Sequence, residues 1–255
     1  MTPLSANART ATAIAAFAIV AIAFAANAFL NHTPTGAGIK AISGFYRGVF
    51  FIGVGTLLPA WLLGKITLGG AGTARQLGIG AGKRDAVAII VALVVGGALA
   101  AMPLAPFLRD PAGPRLLHSL FAQLVIASTA EVLLFLGVLG AGIDALLGRR
   151  DDWLTCLVIV VASCITFGLF HFTYPAPWNT LQLAAMLSLV WIPTALLFVV
   201  GRSLLAAIVY NNIMAVVGFA TNRLTLPQSA LEGWLLAAAA LAGFLLVFRL
   251  ARVSR

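Results

Sequence analysis

Eight apolar runs, each near the length of a bilayer crossing, constrain this chain more than any other feature. They lie at approximately 11–30, 43–63, 86–108, 116–147, 154–171, 180–200, 203–219 and 231–250. About twenty residues at 1.5 Å rise cross a hydrocarbon core of about 30 Å, so each run is expected to be a membrane-spanning helix. Composition agrees: 62% of residues are hydrophobic and 9% charged, against about 45–50% and about 25% in soluble chains. So few charges cannot coat a soluble globule of 255 residues. A soluble enzyme, a disordered chain and a disulfide scaffold are excluded. The expected fold class is all-α, a polytopic membrane helical bundle of about eight transmembrane helices, forming a single integral membrane domain over residues 1–255.

The formal net charge of +9 has a topological explanation and is not read as a nucleic-acid signal. Alternating sides through eight spans puts Arg9, Lys65, Arg75, Lys83, Arg84, Arg149, Arg150, Arg202, Arg249, Arg252 and Arg255 on one side. The other side holds Lys40, Arg47, Arg109, Arg115 and Arg223. The richer side marks the cytoplasm, so both termini are expected inside, in a plasma membrane of bacterial type. The Gly-rich basic loop at 64–85 suits anionic lipid head groups or simple topology marking equally. The first run reads as a retained span, although Ala26-Asn27-Ala28 mimics a cleavage site. Cys156 and Cys164 sit about two turns apart on one helix, too far to bridge. The fourth run exceeds one crossing and is expected to tilt or project. Gly201-Arg202 implies a tight hairpin or a broken helix, and Pro59, Pro103, Pro106 and Pro193 should kink or end their helices.

Polar groups inside spans are the informative residues, because a charge at mid-bilayer costs about 2.5–3.5 kcal/mol even on lenient scales. Glu131 lies near the middle of the fourth run with no other acid nearby; without a partner it should be protonated or face a wet cavity. Ser128, one turn earlier, is placed to bond to it. His171 closes the fifth run. Asn211 and Asn212 enter the seventh, and since successive residues turn about 100°, they cannot face the same way. At least one should find a partner inside the bundle. A carboxylate, an imidazole and an amide around one dry cavity can poise a water as nucleophile and stabilise an oxyanion. The same residues also suit a proton or solute path.

The order and surroundings of these residues resemble the CAAX-protease and bacteriocin-processing (CPBP) family of intramembrane glutamic endopeptidases, over most of residues 77–219. Glu131-Val132-Leu133-Leu134-Phe135-Leu136-Gly137 is similar to the family's E-E-L-L-F-R-G run, and Phe167 to His171 matches F-x-x-x-H. Ser203 to Asn212 resembles the run leading into the third motif, H-x-x-x-N. Leu77-Gly78-Ile79-Gly80 resembles the family's earlier loop. The resemblance implies a CAAX-protease-like core with Glu131 as general base, and His171 and Asn211 orienting water or holding the oxyanion. The implied reaction is hydrolysis of a peptide bond in a membrane-associated peptide or protein substrate, with membrane lipid as surroundings.

Departures accompany the matches. Val132 stands at the second glutamate, Leu136 at the arginine, Asn211 at the second histidine and Ala215 at the later asparagine. The Glu–Arg pair at i, i+4 is lost, and Asn211 can donate a hydrogen bond but not exchange a proton near neutral pH. No cofactor is expected, and two candidate ligands fall short of the three protein ligands usual at catalytic zinc. A family relative that binds or scaffolds without catalysis, and a proton-coupled transporter using Glu131 as carrier and His171 as relay, are the competing readings. Gly44-x-x-x-Gly48 has a spacing found at helix contacts and in dimerisation.

Overall fold

The computed structural model describes residues 6–42, 46–67, 82–147, 152–222, 224 and 229–253. Among the described residues, eight helices are long and apolar enough to cross a membrane: Ala6–His32, Tyr46–Ile66, Lys83–Arg109, Gly113–Leu147, Trp153–Thr173, Leu181–Val199, Leu204–Thr221 and Ala230–Val253. No strand occurs among the described residues. The architecture is an all-α bundle of the integral, multi-pass type. One short helix, Pro34–Lys40, was not foreseen. Thr33 caps it by accepting from the Gly36 amide, and Pro34 follows at the first helical position, where no N–H is needed.

The fourth span is the most buried of the eight and forms the axis of the bundle. The second, seventh and eighth spans pack on its first half, and the first span on its last part. The fifth and sixth spans pair closely, as do the third and seventh. Small residues permit these approaches. A Cβ on Gly233 would meet the Ala122 carbonyl oxygen at 2.5 Å, so the eighth span lies directly on fourth-span backbone. The core is largely aliphatic, with a cluster of aromatic rings around Phe135. Phe135, with no exposed surface, is ringed by Phe24, Phe167, Phe170 and Trp191 at centroid distances of 5.1–6.4 Å.

Helix continuity differs from the expectation in two places. The fourth span is not one α-helix. It is α-helical over Gly113–Val132, π-helical over Leu133–Val138 and α-helical again over Leu139–Leu147. In the second span, Tyr46–Leu57 is also π-helical and gives way to α-helix at Leu58. There Thr56 donates its hydroxyl to the Phe51 carbonyl at 2.8 Å, and Pro59, lacking an N–H, begins the new register. The helices around Pro103, Pro106 and Pro193 continue through them.

Gly201-Arg202 forms a tight hairpin. The Gly201 amide closes back on the Leu196 carbonyl, Arg202 takes φ 52°, and Ser203 caps the next helix through the Ala206 amide. The Ser203 hydroxyl also donates to Asp85, which ties this turn to the start of the third span. At the same end, Arg9 donates to the carbonyls of Ala145 (3.0 Å) and Leu146 (3.2 Å), where the fourth span runs out of internal partners. Neither Cys156 nor Cys164 is part of a disulfide. Gly44 and most of the Gly-rich loop, Leu77–Gly80 included, lie outside the described residues.

Candidate functional site

A cavity of about 560 Å³ opens among the second, fourth, fifth, sixth and seventh spans. It is lined by the first half of the fourth span, the end of the fifth, the first half of the sixth and the second half of the seventh. Each of these stretches belongs to the same end of the bundle, where the first span connects to the second and the fifth to the sixth. Glu131, His171 and Asn211 all line it, as does Ala215.

Two of the three expected site residues are bonded directly. Asn211 donates its side-chain amide to Oε2 of Glu131 at 2.9 Å. Glu131 therefore has a neutral polar partner, supplied by another span and not by Ser128 of its own helix. It keeps some accessible surface while Asn211 is buried, and both line the cavity. Its helix turns π-helical two residues later, at Leu133. Such single-turn widenings recur at functional sites.

His171 shares the cavity without bonding to Glu131. Its Nδ1 lies 2.9 Å from the Phe167 carbonyl oxygen. A carbonyl only accepts, so Nδ1 carries the hydrogen and Nε2 of the neutral ring is left as an acceptor. Phe167 meets the imidazole edge-on at 4.7 Å and stacks on Trp191 at 3.9 Å. The F-x-x-x-H pair is thus one unit: the phenylalanine supplies both the orienting carbonyl and the wall. It fits here because residues four apart share a helix face.

Ser128 does not bond to Glu131 as its spacing suggested. Its hydroxyl makes a long contact of 3.4 Å to Oδ1 of Asn212, whose amide donates to the Phe121 carbonyl at 3.0 Å. The adjacent asparagines therefore divide the work: Asn211 serves the cavity and Asn212 ties the seventh span to the fourth. Val132 and Leu136, at the motif's second glutamate and arginine positions, have no exposed surface and belong to the apolar core. An ion pair there would be buried without water, and the aliphatic pair instead packs the axis.

Sequence reasoning missed the polar network beside the cavity. Asn27 is fully buried; its amide donates to Thr173 at 2.7 Å and its carbonyl oxygen accepts from Tyr46 (2.7 Å) and Asn31 (3.0 Å). Lys40 donates to Asn31 and stands 5.2 Å from the Tyr46 ring. Burial lowers the Lys40 pKa from its ordinary value. Arg47 donates to the Gln123 carbonyl at 3.2 Å. The available signal was the set Asn27, Asn31, Tyr46 and Arg47 around the first connection, all polar groups at the ends of apolar runs.

No family model matches the chain, no curated protein matches it, and no solved structure matches its fold.

Proposed function

We propose that the protein is an intramembrane hydrolase that cleaves a peptide bond of a membrane-associated substrate with a water activated by Glu131. The observation behind this reading is the 2.9 Å bond from Asn211 to Glu131 at the wall of a cavity that His171 also lines. The amide occupies Oε2 and orients the carboxyl, leaving Oε1 to take a proton from water. His171 is positioned by Phe167 to accept from, or after protonation donate to, the reacting groups. Asn211 and protonated His171 are the candidate donors for the tetrahedral oxyanion. The placement of Glu131, His171, Asn211 and Ala215 around one cavity supports the CPBP-like reading of the sequence, with Asn211 in place of a histidine and without the Glu–Arg pair.

The loop charges support an orientation with both ends of the chain on the cytoplasmic side of a bacterial plasma membrane. The cavity then opens toward the opposite face. Cleavage of a quenched fluorogenic transmembrane peptide in reconstituted vesicles tests the reading. Wild-type protein should cleave, and Glu131→Gln should lose cleavage while keeping its unfolding midpoint. Proton-driven solute uptake lost in the same variant, without any cleavage, would replace hydrolysis by transport.

A further inference from the structure

The cavity walls are chemically divided. At its end near the first connection stand Lys40 and Arg47, both half-buried and both held in place, Lys40 by Asn31 and the Tyr46 ring and Arg47 by the Gln123 carbonyl. That last bond uses one of the five guanidinium N–H donors. Glu232 faces Arg47 electrostatically and offsets part of its charge. The apolar part of the wall is built from Leu187 and Val190 of the sixth span and Met214, Gly218 and Phe219 of the seventh. Gly218 leaves open space, because a Cβ there would meet nothing within 4 Å. The volume of about 560 Å³ falls within the roughly 300–1,000 Å³ usual for small-molecule sites.

We propose that this cavity is a binding site for a single-chain lipid bearing a phosphate head group, with the phosphate on Lys40 and Arg47 and the chain along Leu187, Met214 and Gly218. A phosphate monoester carries about −1.5 to −2 charges near neutral pH, which suits two fixed cations better than a carboxylate does. An acyl chain leaving the bilayer gains little by entering another apolar space. The head group therefore decides which bilayer lipid is bound, whereas a phosphate arriving from water gains from the apolar wall only if it carries a chain. The proposal concerns what occupies the cavity and rests on its walls, independently of the hydrolysis proposed for Glu131.

Native mass spectrometry of the full chain released from nanodiscs tests it, with dodecyl phosphate, butyl phosphate and dodecyltrimethylammonium as probes. One dodecyl phosphate per chain should be retained, and neither of the other two. Occupancy should fall at least tenfold in the Lys40→Ala/Arg47→Gln double variant. It should also fall in Gly218→Leu, whose side chain fills the open space. Gly97→Leu, equally free of neighbours but outside the cavity lining, should bind as wild type. Glu131→Gln should still bind, which separates this result from any loss of cleavage. No retained dodecyl phosphate, equal retention of the cationic amphiphile, or unchanged binding in a folded double variant or Gly218→Leu would overturn the proposal. Equal retention of butyl phosphate would overturn the chain-binding part by showing a site for phosphate alone.

Discussion

The amide of Asn211 meets the carboxyl of Glu131 at 2.9 Å, joining the seventh span to the fourth across the wall of the cavity. The bond gives a half-buried acid a neutral partner from another span and engages one of its two carboxyl oxygens. Asn211→Ala removes the donor and leaves Glu131 less satisfied. The expected cost is about 1–3 kcal/mol of stability and, on the proposed mechanism, about 10²–10³ in cleavage rate. Thermal unfolding in nanodiscs and the peptide assay check the two halves separately.

Close backbone packing makes a second prediction independent of function. Gly233→Ala would bring a methyl group against the Ala122 carbonyl and the Gln123 amide, so the eighth span must shift from the fourth, at a cost of about 1–3 kcal/mol. Gly218→Ala meets nothing and should leave stability unchanged or raise it by up to about 1 kcal/mol through helix propensity. Comparison of the two unfolding midpoints checks this.

Ser203 holds two partners at once, capping the seventh span through the Ala206 amide and donating to Asp85 of the third. Ser203→Ala should cost about 0.5–2 kcal/mol, and Ser203→Thr should recover part of it. Hydrogen exchange at the Ala206 amide should accelerate in the alanine variant and not in the threonine one.

Most of the architecture was legible in the sequence, because a bilayer rewards long apolar runs and little else. All eight spans follow from hydropathy, whereas Gly201-Arg202 left a tight hairpin and a broken helix equally open, and the hairpin, with Arg202 at positive φ, is what forms. The widened turn at Leu133–Val138 was not legible: its residues are as apolar as those of an ordinary helix, and π register leaves no compositional mark. Glu131, His171 and Asn211 stood out because each is costly in lipid, and one cavity gathers them. The choice between Asn211 and Ser128 as partner of Glu131 was not legible. Spacing along one helix favoured Ser128, whereas packing between helices supplied Asn211. Asn27 escaped notice for a similar reason, since its partners Tyr46 and Thr173 come from two other spans.

The product formed in ¹⁸O-labelled water tests the proposed hydrolysis most directly. A transmembrane peptide incubated with the reconstituted protein should yield a new carboxylate carrying one ¹⁸O, and folded Glu131→Gln should yield no product. Cleavage by Glu131→Gln at the wild-type rate, or a product without the label, would contradict water activation by Glu131.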